Sequence, residues 1–179
     1  MLQIALSIIV SFSLFQTDAF QLLEKDPLEP DPHKPLGDVV SIEDALTEFE
    51  EIYGRMGKTP TYLPFKPTIS GGNVEKSEER VRIDYLDEKS GKTLSIHIHV
   101  HPINIKSEKD GIYLENGTEA GIINTENIGF IFVHFVLDDL EYLIGINKDK
   151  FNNNEECIDE LVKVANSLSD KATPSAYGY

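Results

Sequence analysis

His97, His99 and His101 occupy alternate positions and are the residues of this chain best spaced to do chemistry. In an extended strand alternate side chains share a face, about 7 Å apart per step, so the three imidazoles would stand in one row. Neutral imidazole nitrogen ligates Zn²⁺ at about 2.0–2.1 Å, and two neighbours in such a row could share one ion. A catalytic zinc centre needs a third protein ligand and an open position; Asp84, in a second alternating segment, has suitable donor chemistry. The plainer reading is that Leu94, Ile96, Ile98 and Val100 face a core while the histidines take the wetter side. Unperturbed imidazole titrates at about pH 6.5, so the row is also a candidate acid sensor.

Other motifs are weaker. His134 lies inside Phe130-Ile131-Phe132-Val133-His134-Phe135-Val136, where a histidine is usually hydrogen-bonded in or near a core. The chain has no Gly-x-Ser-x-Gly elbow, phosphate-cradling glycine loop or His-Glu-x-x-His helix. Ser70-Gly71-Gly72 reads as a turn, and the stretch from Asn147 to Glu156 lacks the central glycine of a calcium loop. Asn116-Gly117-Thr118 matches a glycosylation acceptor, but Asn-Gly is first of all a tight-hairpin signal. No catalytic set emerges, so the expectation is a non-enzyme with no resident cofactor unless the histidine row takes zinc.

The elements that position these residues follow from periodicity. Ser41 is an N-cap with Asp44 three residues on. Ile42, Ala45, Leu46, Phe49, Ile52, Tyr53 and Met56 then recur at helical spacing, with Gly57 as the expected stop. Prolines 60, 64 and 67 around Tyr62, Leu63 and Phe65 predict an extended segment pressed on the core. Val81 to Tyr85 and Leu94 to His101 alternate with period two and flank a polar, glycine-containing link, which predicts a hairpin. Ile112 to Glu115 and Ala120 to Ile123 flank the Asn-Gly pair. Ile128 to Leu137 is apolar on both parities except His134 and reads as a strand covered on both faces. Leu140 to Ile146 is a further strand, after Asp138-Asp139. Asn153 caps a last helix with Glu156 at the capping-box spacing, and Ile158, Leu161, Val162, Ala165 and Leu168 form its stripe. Cys157 belongs beside that stripe as a small apolar residue. The expected fold is α+β: an antiparallel β-sheet of about six strands, flat or curved into a half-barrel, flanked by an N-terminal and a C-terminal amphipathic helix.

The N-terminus speaks to address. Leu2 to Phe15 is uncharged and, apart from Gln3, apolar or small, shorter than the roughly 20 residues of a bilayer span and suited to a secretory signal. The first basic residue is Lys25, after the apolar run, so a signal peptide with a candidate cut after Ala19 and a membrane anchor both stay open. The expected organisation is therefore 1–19 signal peptide or anchor, 20–40 proline-rich acidic linker, 41–168 α+β domain and 169–179 flexible tail. The expected localisation is secreted, or extracytoplasmic and membrane-anchored, with membrane contact only through the N-terminal segment.

Composition narrows the partners. Asp and Glu number 31 against 16 Lys and Arg, a formal charge of −15, which repels phosphate backbones and excludes nucleic acid as a natural partner. The single cysteine, Cys157, allows no intrachain disulfide, and an exported domain without one fits a bacterial envelope better than eukaryotic secretion.

Several stretches together resemble a known family: Thr59-Pro60-Thr61-Tyr62-Leu63-Pro64-Phe65, Asn116-Gly117-Thr118-Glu119-Ala120, Leu140-Glu141-Tyr142, and the closing Glu160-Leu161-Val162-Lys163-Val164-Ala165-Asn166-Ser167-Leu168. Over roughly residues 41 to 168 the chain is similar to an uncharacterised extracytoplasmic domain family of spore-forming Gram-positive bacteria. Members of that family lie behind signal peptides or beyond the membrane helix of anti-sigma-factor-like and sporulation-associated proteins. The resemblance implies a sheet like that of half-barrel lipoprotein carriers, curved around an apolar cleft, and no catalytic residues. The expected function is a binding or sensory module of the cell envelope that recognises an envelope protein or an apolar ligand. Two alternatives are a metal-binding protein or metalloenzyme using His97, His99 and His101, and a carrier of an apolar or lipid ligand.

Overall fold

The computed structural model describes residues 35–103, 109–124 and 128–169. The expected signal peptide or anchor (1–19), most of the expected linker (20–34) and all but the first residue of the expected 169–179 tail lie outside the described residues. The chain divides into two units, Met1–Gly37 and Asp38–Tyr179, and the sheet and both helices belong to the second.

Helix α1 (Ile42–Tyr53) opens at Ser41, whose Oγ accepts the Asp44 N–H at 3.1 Å. It closes at Gly54, in the left-handed conformation at φ 68°. The expected stop at Gly57 is displaced: the helix ends a turn earlier, and Met56 is exposed. Gly57 instead lies buried against Leu46 and Ile98, where a Cβ would come within 2.9 Å of each. The prolines beyond it lead an extended segment that is tied to the C-terminal helix. Tyr62 N–H donates to Ser167 Oγ (3.2 Å) and the Tyr62 hydroxyl reaches Glu160 (2.5 Å), while Leu63 and Phe65 pack on the core.

Seven strands follow: β1 (Ile69–Glu75), β2 (Arg80–Asp87), β3 (Lys92–His99), β4 (Lys109–Tyr113), β5 (Glu119–Ile123), β6 (Phe130–Leu137) and β7 (Leu140–Asn147). Helix α2 (Asn154–Ser169) closes the order, capped by Asn153 Oδ1 accepting the Glu156 N–H at 2.8 Å. The strands form one antiparallel sheet in the order β1-β2-β3-β7-β6-β5-β4, so the sheet is open, with β1 and β4 at its edges. It is two meanders, β1-β2-β3 and β4-β5-β6-β7, joined where β3 pairs with β7.

The strand missing from the sequence-based expectation is β1. Ser70-Gly71-Gly72 is not a turn but part of this strand, paired with Tyr85, Asp84 and Ile83. Glycines weaken a strand taken alone, which hides it from periodicity, yet here they admit close neighbours. A Cβ on Gly72 would lie 2.6 Å from the Ala45 Cβ of α1, and one on Gly71 would press on Val39. Val40 also bridges to Gly72 through paired backbone hydrogen bonds of 2.9 Å, so the domain begins before residue 41.

Alternation sets the two faces. Ile83, Ile96, Ile144, Val133 and Ile122 lie in register across five strands. With the flanking rows they meet Ala45 and Phe49 of α1 and Cys157, Leu161, Val164, Ala165 and Leu168 of α2 in one buried cluster. Each such side chain contributes about 1.5–3 kcal/mol by leaving water. Strand β6 is not covered on both faces: Ile131, Val133 and Phe135 are buried, whereas Val136 on the opposite parity is 54% exposed. At Asp138-Asp139 both residues have positive φ (52° and 61°), the backbone that a two-residue hairpin demands.

Substituting Gly72→Ala should force α1 off β1 and lower stability by about 1–3 kcal/mol, read as a reduced urea midpoint with an unchanged slope. An unaltered midpoint would show that α1 is not seated on this glycine.

Candidate functional site

The helix-free face carries the polar residues of the central strands. Register lays them in three lines. The first runs Glu75, Arg80, His99, Glu141, Val136. The second runs Asn73, Arg82, His97, Leu143, His134, Gly121. The third runs Gly71, Asp84, Ser95, Gly145, Phe132, Ile123.

Charges at the β1–β2 end neutralise one another. Arg80 Nε donates to Glu75 Oε2 at 2.5 Å, and Arg80 Nη1 lies 3.2 Å from Glu78. Arg82 Nη1 is 3.1 Å from Glu75 Oε1. Arg82 Nε sits 2.8 Å from Asp84 Oδ2 as an ion pair without the alignment of a hydrogen bond.

Asp84, Ser95 and His97 form a chain. Ser95 Oγ donates to Asp84 Oδ1 at 2.6 Å, and His97 Nε2 lies 3.0 Å from the same hydroxyl. A hydroxyl has one proton. With that proton on the carboxylate, Nε2 is the donor and Nδ1 keeps the lone pair. This order places the hydroxyl between acid and imidazole, whereas nucleophilic catalysis needs the imidazole between acid and hydroxyl. The chain therefore holds a ring in place and does not activate Ser95.

Of the three histidines singled out by spacing, two come together. The His97 and His99 rings lie with centroids 6.4 Å apart at 30°. Among the described residues His97 Nδ1 and His99 Nε2 are both buried without a hydrogen-bond partner, and His99 is only 6% exposed. His101 does not join them. Strand β3 ends at His99, the Val100 N–H turns to the Glu79 carbonyl at 3.1 Å, and exposed His101 faces Glu79 at 3.6 Å. Asp84 pairs with Ser95 rather than His97 and is already engaged. Among the described residues no group of three or more His, Cys, Asp or Glu side chains stands close enough together to hold a metal ion, and His101 stands apart from His97 and His99. Nor is the histidine side simply the wetter one, because part of it is buried.

Burial is the main cause of the electrostatics here. It pushes the His97 pKa down to about 4, with the nearby Arg80 charge acting in the same direction. His99 is lowered for the same two reasons in the same order, while the carboxylates of Glu141, Glu78 and Glu75 oppose the shift. Both rings are thus neutral at pH 7. Cys157 lies on the buried side of α2, and burial raises its thiol pKa, the opposite of an activated thiolate.

A second cluster lies toward β6. His134 Nε2 contacts Glu141 Oε1, and Glu141 Oε2 accepts the Ile103 N–H. Glu141 is 6% exposed, so its carboxylate is satisfied by a ring and an amide instead of by water. His134 also lines a pocket of 390 Å³ with Gly111, Thr118, Glu119, Gly121 and Val136. The pocket sits where β4 bulges: its register shifts between Lys109 and Ile112, and Gly111 has φ 91°. Glycine at the bulge and at Gly121 keeps side chains off the floor.

Sequence reasoning weighed His134 as a hydrogen-bonded strand residue but passed over Glu141, Arg80, Arg82 and Glu75. One signal was present: Glu141 is a lone acid within Leu140-Glu141-Tyr142-Leu143-Ile144, and an acid buried among apolar neighbours needs a partner. Comparison with protein family models, curated proteins and solved structures yields no match.

A histidine whose folded pKa is depressed stabilises the fold above its unfolded pKa and loses that contribution as pH falls through the folded value. For His97 the window runs from about 6.5 down to about 4, and its full width corresponds to at most about 3 kcal/mol. Urea unfolding of the wild type should weaken across this window, and His97→Leu should flatten that part of the profile. Identical profiles for the two proteins would remove His97 as the acid-sensitive group.

Proposed function

We propose that this chain is a non-enzymatic binding or sensory module that works outside the cytoplasm and recognises its partner through the helix-free face of the sheet. One observation carries the reading: this face buries two imidazole nitrogens, His97 Nδ1 and His99 Nε2, that have no hydrogen-bond partner among the described residues. An unpaired buried polar atom costs about 1–3 kcal/mol, so the fold keeps a penalty that a partner would relieve by opening the face far enough to bring its own polar groups to these nitrogens. The Leu2 to Phe15 run supports the address, and the excess of 31 acids over 16 bases supports a partner that is not nucleic acid. A sheet curved around a cleft, as in the half-barrel carriers, belongs to this reading.

An envelope protein segment is the favoured partner. An acyl chain suits the site less well, because the face lined by Ile83, Ile96 and Ile144 is filled by the helices and the other carries Arg80, Arg82, Asp84 and Glu141. The two unsatisfied nitrogens also favour a second reading, a metal ion held by His97 and His99 with donors from outside the chain.

The test is hydrogen exchange on the full-length chain, alone and with envelope extract from its own cell. Slowed exchange should concentrate in β3, β7 and β6 and be lost in a His97→Leu, His99→Leu double variant. Protection confined to α1 and α2, or none at all, would refute the face. Stoichiometric zinc, copper or nickel in untagged native protein would shift the reading to metal. Full-length chain free in the cytosol with its leader intact would refute the address.

A further inference from the structure

The pocket beside β6 has a chemistry of its own, and it lies on the face assigned above to recognition, so its ligand rests on that reading. A carboxylate only accepts hydrogen bonds, so the contact between Glu141 Oε1 and His134 Nε2 puts the ring proton on Nε2. In the neutral ring Nδ1 is then the acceptor edge. The buried carboxylate fixes this tautomer and orientation, as second-sphere carboxylates do for working imidazoles. Glu119, on the rim, is a second acceptor. No Lys or Arg is among the described residues lining the pocket. Its polar groups therefore call for a donor, and the −15 charge of the chain favours a positive one. Val136 is 54% exposed at the wall. Tyr113, 68% exposed and opposite Glu119 in register, offers a ring face that attracts cations.

We propose that the pocket lined by Gly111, Glu119, Gly121, His134 and Val136 binds a small organic cation, a primary ammonium on a short apolar body. The N–H donors go to the Glu141-oriented His134 ring and to Glu119, and the apolar body lies along Val136 over the glycine floor. A volume of 390 Å³ suits a molecule of that size.

Backbone-amide NMR of the full chain at pH 8 tests this using three probes. They are n-butylammonium, tetramethylammonium (charge without N–H donors) and n-butanol (a neutral donor). Butylammonium should give saturable shifts confined to Gly111, Gly121, His134 and Val136, with at least tenfold weaker binding of the other two. Glu141→Gln should weaken butylammonium about tenfold. Val136→Trp changes only an exposed wall residue, so it tests the pocket even where Glu141→Gln unfolds the protein, and it should abolish the shifts. Shifts scattered over the acidic surface, equal response to all three probes, or binding untouched by Val136→Trp would overturn the proposal. If extract still protects β3 and β7 while the ammonium fails, only the ligand class falls. If both fail, the recognition face falls with it.

Discussion

The pairing of β3 with β7 is the contact on which the rest of this structure depends. It joins a three-strand meander to a four-strand meander whose members are otherwise unconnected in the sheet. Its register sets Leu94, Ile96 and Ile98 against Ile146, Ile144 and Tyr142 beneath the helices. Because side chains alternate with period two, the same register places Ser95, His97 and His99 beside Gly145, Leu143 and Glu141 on the far side. A slip of one residue would send every isoleucine of this seam to the polar face. The apolar rows thus hold the polar rows in position.

That arrangement has a cost. The far face buries Asp84, Ser95, His99 and Glu141, and it leaves two imidazole nitrogens without a partner among the described residues. Each unpaired nitrogen costs about as much as one fully buried isoleucine contributes. The core contains far more such side chains than the face contains orphans, so the fold tolerates them. Arg80 and Arg82 act against protonation of the neighbouring rings, while Glu75, Glu78 and Asp84 neutralise the guanidiniums. The result is a face on which the His97 and His99 rings stay neutral near pH 7 within a dense lattice of charge.

The two parts of this face differ in kind. Around His97 the hydrogen bonds run inward, from ring to hydroxyl to carboxylate, and hold the ring. Around His134 a carboxylate buried under Ile103 orients a ring that borders a pocket. The β4 bulge and Gly121 make that pocket by withholding side chains. In the rows across β2 and β3, where side chains of full size are packed, the same imidazole chemistry is closed in.

Much of the framework was legible in the chain itself. Period-two runs marked β2 and β3, apolar runs marked β6 and β7, Asn116-Gly117 marked the β4–β5 hairpin, and Ser41 and Asn153 marked both helix starts, because each signal is local to a few neighbouring residues. The α+β class follows from those signals, as does the separation of Ile96 and Ile98 from the histidines between them. Strand β1 was not legible, since its glycines gain meaning only when Ala45 and Val39 arrive from elsewhere in the chain. Nor was the fate of the histidine row. Sequence could set three imidazoles at equal spacing, but only the end of β3 at His99, fixed by its partners Arg80 and Glu141, decided that His101 turns away. Glu141 acquired its role in the same way, from His134 across a strand pair and Ile103 across a loop. Spacing along a strand is a property of the backbone and can be read from order alone. Convergence across strands depends on register, which is set by the whole core.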